Sequence, residues 1–281
     1  MNDPVRPQFS DIDAWGMTHK GQVRAENQDH FFVGSLVRGV RLEQASIAQG
    51  ENRMLHLERL ASLAVVADGV GGSAGGEAAA RRAVEGLVSS VSSFFHEAEF
   101  QEDQDPEVFS RLLLDAALEV HESLVEEADR GRGGGRFATT LTLFLGLWPH
   151  AYLLQVGDSR CYVFQDGTLT QISQDQTLAQ ELVNQGLLTR TRAEESRWAN
   201  ILSSAVGGSQ AEPVVTRVVR SRGTVVLLCS DGLTKHVPDE RIRERLSYMT
   251  SSRQVVEQLV EDALDDGGTD NVTVIVGRTL P

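Results

Sequence analysis

The sequence predicts an α+β fold, a four-layer αββα sandwich in which two mainly antiparallel β-sheets are flanked by helices. Three observations carry that expectation. Strand-like runs outnumber helical ones and are joined mostly by turns, which favours antiparallel pairing. Two amphipathic segments stand side by side, with Ala80, Val84, Leu87, Val88, Val91 and Phe94 on one stripe and Phe109, Leu112, Leu113, Ala116, Ala117, Val120 and Leu124 on the other. Each has a single apolar face to lay on a sheet. Finally, Leu60 to Ala67 is nearly apolar and Val225 to Cys229 wholly so, as strands covered on both faces must be.

Residues 1–12 are polar, carry two prolines and read as a loose start. β-type runs follow at Ala14 to Val23 and Phe31 to Val37, and the mixed, Gln- and Glu-rich stretch 38–59 reads as an insertion. The strand Leu60 to Ala67 stops at Asp68, and the glycine-rich loop Gly69 to Gly76 leads into the two helices. A basic, glycine-rich tract, Arg130 to Arg136, ends the helical hairpin. Strands are expected at Thr139 to Leu147, Ala151 to Val156, Arg160 to Gln165 and Thr168 to Ile172, the last two joined by an Asp166-Gly167 turn. Gln174 to Asn200 reads as helical and polar. Strands resume at Val214 to Val219 and Val225 to Cys229, and a helix at Gln254 to Leu264 precedes a last strand, Val272 to Val276. No internal repeat is visible, and the 281 residues are read as a single domain.

Composition excludes several function classes. Lys plus Arg number 26 against 40 Asp plus Glu, a net charge of −14 that repels nucleic acid and anionic membrane. The longest apolar runs fall far short of the roughly 20 residues that span a bilayer. Residues 1–15 lack the basic start and apolar centre of a signal peptide, so a cytoplasmic protein is expected, and a monomer. Cys161 and Cys229 lie inside strand-like runs and read as small buried thiols.

The chemistry lies in the placement of aspartates. Asp29, Asp68, Asp158, Asp231 and Asp270 each adjoin a β run, so that all five can meet at one rim of a sheet. Hard divalent cations take oxygen ligands, and a pair of them calls for several carboxylates. Any one Asp-Gly is by itself an ordinary turn signal, as Asp166-Gly167 illustrates. Asp68-Gly69 and Asp231-Gly232 differ because each ends an apolar run, and a carboxylate delivered to the interior needs a partner or a metal. Gly69, Gly71 and Ala74 also satisfy a relaxed dinucleotide fingerprint, but a second helix stands where that fold needs a parallel strand. Other hydrolytic chemistries lack their residues. Gly167 and Lys235 occupy the sixth positions after the two cysteines, where a cysteine phosphatase needs Arg, and the seven histidines show no zinc spacing. His236 reads as a surface residue.

Five blocks, in order, resemble those of the metal-dependent protein phosphatases, the type-2C Ser/Thr family in its bacterial form. They are GQVRAENQD at 21–29, VVADGVGG at 65–72, VGDSR at 156–160, LCSDGL at 228–233 and GGTDNVT at 267–273, with FATTLT at 137–142 as a further structural match. The resemblance implies that Asp29, Asp68, the Gly69 carbonyl, Asp231 and Asp270 hold two Mn or Mg ions directly or through water, with Asp68 bridging them. It implies a third, weaker ion on Asp158 and Asp231, a phosphate grip by Arg24, and support from Asn271. A guanidinium fork matches phosphate oxygens. The implied reaction is hydrolysis of phosphoserine or phosphothreonine on proteins phosphorylated by a cognate Ser/Thr kinase, by in-line attack of a hydroxide bridging the two ions.

The segment 173–207 resembles the family's flap, and departures cluster there. Asp175-Gln176-Thr177 replaces Asp-His-Ser or Asp-His-Thr, and Ala199 begins ANILSSAVG where relatives often read R-N-x-I-T-R-A-L-G. A catalytically silent, phosphoprotein-binding relative would lack a metal ligand, whereas here every such position is filled. A hydrolase of small phosphoesters is the third reading.

Overall fold

The computed structural model describes residues 7–41, 54–70, 74–97, 105–130 and 137–280. The central part of the expected insertion (42–53), Gly71 of the glycine loop and the basic tract 131–136 lie outside these residues. Two sheets stack face to face with helices outside, the expected αββα order. The first sheet runs β1 (Ile12–His19), β11 (Val272–Thr279), β10 (Val225–Cys229), β7 (Arg160–Gln165), β8 (Thr168–Gln171). The second runs β2 (Asp29–Arg41), β3 (Met54–Val70), β5 (Leu141–Leu147), β6 (His150–Val156), β9 (Val214–Val219), with the two-residue β4 (Ala138–Thr139) on β3. Every pairing is antiparallel.

Strand periodicity sorts the side chains into layers. On β3, Leu63, Val65 and Ala67 point outward onto helices α1 (Ala74–Glu97) and α2 (Pro106–Arg130), where Leu87, Val91, Leu113, Ala117 and Leu124 meet them. The intervening Ala64 and Val66 point inward, to Phe144, Leu228 and Ile275 of neighbouring strands and the facing sheet. The opposite outer layer forms in the same way. Val225, Leu227, Cys229, Val272, Val274 and Val276 pack against α6 (Asp239–Ser247) and α7 (Ser252–Asp265). Strands covered on both sides explain the uninterrupted apolar runs.

Several segments differ from the sequence expectation. Both flanks of the stretch 38–59 are strand, because β2 and β3 continue their ladder as far as Arg41↔Met54 across two register shifts. Gln174 to Asn200 forms only two short helices, α3 (Leu178–Asn184) and α4 (Arg190–Glu194), with Thr177 and Thr189 as N-caps and turns between. Its polar composition lacks an apolar stripe wide enough to dock a longer helix. Beyond β10, Asp231–Thr234 turns as a one-turn helix, α5, whose Gly232 abuts the Asn271 carbonyl, where an added Cβ would lie 1.8 Å from that oxygen. Both cysteines are buried thiols, on opposite faces of the first sheet. Among the described residues no helix is long and apolar enough to cross a membrane.

Candidate active site

The inward alternation that fills the sandwich also aims its end residues. Ala64 and Val66 are followed two residues on by Asp68, and Phe31 and Val33 are preceded in step by Asp29. Asp29 and Asp68 are direct cross-strand partners. From the other sheet, Ser230 continues the inward series of Val226 and Leu228, and Thr273 that of Ile275. Their hydroxyls each donate to Asp29 Oδ2 at 2.7 Å. The two sheets are thus tied together at this rim by a carboxylate.

Asp158 enters from the turn after β6, where Gly157 (φ +102°) lies so close to Thr140 that a Cβ would sit 2.7 Å from its methyl. Thr140 Oγ1 in turn accepts from the Asp68 backbone N–H at 3.0 Å and bonds Ser159 Oγ at 2.8 Å, linking the two acidic turns. Gly69 is pressed against the start of α1, and a Cβ there would meet the Gly76 carbonyl oxygen at 2.4 Å. Asn271 clamps the approach to Asp29: its Oδ1 accepts from Gln28 N–H at 2.9 Å, and its amide donates to the carbonyls of Lys20 (2.8 Å) and Glu26 (2.9 Å).

Cations already address two of the acids. Arg24 grips Asp270 with both prongs, Nε to Oδ1 at 2.8 Å and Nη2 to Oδ2 at 2.9 Å. Lys235 Nζ stands between Asp231 Oδ2 (2.5 Å) and Asp270 Oδ2 (2.7 Å). The sequence reading overlooked Lys235, although a lysine four residues after Asp231 at a helix start is a recognisable pair. It also overlooked Ser230, Thr273 and Thr140, whose hydroxyls carry no pattern in one dimension.

Electrostatics set the acids apart. Burial, against the hydrogen bonds from Thr273 and Ser230, pushes the Asp29 carboxyl up to about 6, and burial with the charges of Asp231 and Asp175 pushes Asp158 up to about 8. Asp68 is raised well above the usual carboxylate range by burial and by Asp29, Asp231, Asp158 and Asp270 together. Burial also raises Asp231 despite Lys235. Asp270 alone is held low, because the bonds from Lys235 and Arg24 outweigh its burial. Two oxygens, Asp29 Oδ1 and Asp231 Oδ1, are buried with no hydrogen-bond donor among the described residues. A buried carboxylate oxygen without a donor is costly, and a cation is the partner that satisfies it. Among the described residues, however, no three His, Cys, Asp or Glu side chains close on one point as a finished metal cage. The Gly69 carbonyl and water would complete any shell, as hard cations accept.

Asp68, Asp158, Asp231 and Asp270 line a cleft of about 800 Å³ walled also by Arg24, Gly69 and, from the flap, Asn200 to Ala205. A second cavity of about 770 Å³ lies beyond Asp158, Asp231 and Lys235, reaching Arg160, Asp175 and Arg190. The flap's departures have structural uses. Beside Asp175, which keeps the family's residue and takes the Arg160 fork at 2.9 and 2.7 Å, Gln176 accepts from Gly157 N–H at 2.7 Å and donates to the Glu212 carbonyl at 2.8 Å. Ala199 lines the second cavity. His236, expected at the surface, has its ring largely covered. Nε2 accepts from Thr269 N–H at 3.0 Å and Nδ1 faces Asp266 at 3.1 Å, anchoring the loop before Asp270.

Comparison with known proteins settles the family, since the profile of protein phosphatase 2C matches residues 49–267. The chain belongs to the protein phosphatase 2C family. Over 264 residues it is 32 % identical to the serine/threonine protein phosphatase PstP of Mycobacterium tuberculosis, covering 93 % of this chain and 44 % of that protein. It therefore spans less than half the length of that relative. It is 31 % identical over 215 residues to the serine/threonine phosphatase stp of Listeria welshimeri, covering 76 % of this chain and 83 % of the relative. The crystal structure of M. tuberculosis PstP superposes with a TM-score of 0.76 at 28 % identity, covering 96 % of this chain and 99 % of that one. The PstP catalytic domain in complex with two manganese ions gives a TM-score of 0.72, again at 28 % identity, with coverage of 96 % and 99 %. The 2C family thus accounts for the whole αββα frame around the acidic cleft.

Proposed function

We propose that this 2C-family protein is a metal-dependent phosphatase that hydrolyses phosphoserine and phosphothreonine on proteins. The observation that carries this reading is the meeting of Asp68, Asp158, Asp231 and Asp270 at one cleft, with Asp29 directly across the β2–β3 ladder from Asp68 and with Asp29 Oδ1 and Asp231 Oδ1 buried and, among the described residues, donorless. Asp29, Asp68, the Gly69 carbonyl, Asp231 and Asp270 would hold two Mn or Mg ions, and Asp158 with Asp231 a third. When bound, such ions supply a water acidified from about 16 to about 7 and positive charge for the phosphoryl oxygens.

The chain's own groups do the rest. Ser230 and Thr273 fix one oxygen of Asp29, and among the described residues the other is left without a donor. Thr140 holds the Asp68 turn, and Asn271 holds the segment that carries Arg24 and Asp29. Arg24, about half exposed, lies at the cleft wall with a fork suited to a phosphate, to which it would turn from Asp270. Lys235 pairs with both Asp231 and Asp270. The names of the relatives support protein substrates, and the products of a cognate Ser/Thr kinase are the expected class.

The test is hydrolysis of a phosphothreonine peptide with Mn, with chelator and with Asp231→Asn. Chelator and substitution should each nearly abolish turnover; robust turnover surviving both rejects the proposal. A parallel panel of small phosphoesters distinguishes a small-molecule hydrolase, which would prefer them over the peptide.

A further inference from the structure

Away from the aspartates the two sheets part around a cavity of about 270 Å³, walled by Val33, Leu63, Phe144, Val226, Leu228 and Ile275. It lies several residues down β2, β3, β10 and β11 from the acidic rim, with the inter-sheet core between. Its chemistry is the reverse of the cleft's. The charged wall is basic, formed by Arg59, Arg220 and Arg278, with Ser35 and Ser62 as neutral polar neighbours, and among the described residues no acidic side chain lines it.

Two of these arginines are engaged elsewhere. Arg278 donates to Asp13 Oδ2 at 3.0 Å and to the Thr250 carbonyl at 2.6 Å, and Arg59 donates to the Gln8 carbonyl. Asp11, the acid whose charge Arg59 influences, is occupied by the Gln8 backbone N–H at 2.9 Å and by Arg222 at 3.7 Å. Arg220 differs. It follows the edge strand β9, and its guanidinium lies over Gly146, facing the rings of Phe144 (5.4 Å to the centroid) and Trp148 (5.9 Å). Its Nε is buried without a hydrogen-bond partner, and among the described residues no carboxylate pairs with it. Burial and the neighbouring charge of Arg59 push its pKa down to about 10.

A guanidinium held against aromatic rings beside a second arginine, with no acid to balance it, is an arrangement that an anion completes. The shape and lining of the cavity say which anion. Its walls are apolar, so a fully hydrated ion such as inorganic phosphate would lose more solvation than the site returns, whereas a hydrocarbon chain gains by entering. We propose that the inter-sheet pocket is a binding site for a small organic carboxylate, its hydrocarbon body between the sheets and its carboxylate on the Arg220 guanidinium. Arg59 adds long-range attraction, and the planar fork of Arg220 offers the carboxylate a two-point grip.

Octanoate is the probe, titrated calorimetrically into chelator-treated protein so that no divalent ion competes for it. Acetate supplies the same head without the chain, and octanol the same chain without the charge. Octanoate should bind saturably and at least about tenfold more tightly than either, a difference of about 1.4 kcal/mol. Arg220→Met should weaken octanoate by about tenfold and leave octanol unchanged, while melting no lower than the parent, because it removes an unbalanced charge. Ser62→Leu, on the cavity wall and remote from the acidic cleft, should block octanoate with Arg220 still in place. Octanol binding as tightly as octanoate, octanoate affinity unmoved by both substitutions, as it would be for a carboxylate lodged at Arg24, or no saturable binding would each overturn the proposal.

Discussion

Asp29 and Asp68 face each other directly across the antiparallel β2–β3 ladder, both on its inward side. Like charges at facing positions destabilise a sheet, and burial magnifies the effect. The carboxyl groups respond by rising in pKa, Asp29 to about 6 chiefly through burial, and Asp68 well above the usual carboxylate range through burial and then the charge of Asp29. A pair so placed is a liability to the metal-free fold and an asset to a cation-binding one.

Asp68→Asn should therefore separate stability from activity. With chelator present, the variant should melt about 2–4 °C higher than the parent, as relief of about 1 kcal/mol predicts for a chain of this size. Its Mn-stimulated phosphopeptide turnover should be lost. A differential-scanning melt in chelator checks the first part, and a lower melting temperature there would contradict the repulsion argument.

Lys235 bridges Asp231 and Asp270 with a single ammonium. Any divalent ion that takes these oxygens must displace it or share them with it. Lys235→Gln should tighten Mn binding by about tenfold in a calorimetric titration, equivalent to about 1.4 kcal/mol. It should also lower the melting temperature in chelator, since Asp231 loses its ion-pair partner and Asp270 is left with Arg24. Unchanged Mn affinity would show that Lys235 swings clear at no cost.

Arg24→Lys keeps the charge and loses the fork. On a phosphopeptide, kcat/KM should fall about 10- to 100-fold, while Mn affinity should stay within about threefold of the parent. A fall in Mn affinity as large as the fall in kcat/KM would place Arg24 in the support of Asp270 rather than on the phosphate.

Asn271→Ala leaves the Gln28 N–H and the carbonyls of Lys20 and Glu26 without their partner at a buried position. Urea unfolding should show a loss of about 3 kcal/mol, from the desolvation of orphaned groups. Loss of activity with stability intact would instead point to a direct role in the cleft.

Much of this was legible in the residues. The helical stripes of α1 and α2 and the apolar runs of β3 and β10 announce a layered sheet protein, because periodicities of 3.6 and 2 are local properties of the chain. Asp68 and Asp231 are conspicuous for the same reason, each ending an apolar run. The segment 174–200 misled because polarity without a stripe does not distinguish a short capped helix from a long one.

The order of residue types along the chain determined by itself which strands are covered on both faces and which carboxylates lie at their ends. What only the tertiary structure decided is which charges meet. Lys235 reaches Asp270 across a gap of 35 residues, and Arg24 reaches it across 246. Arg220 was left with aromatic rings and, among the described residues, no acid. Periodicity follows from bonded geometry, whereas the energy of a charge depends on distance and burial, and both are set only when sheets from remote parts of the chain have stacked.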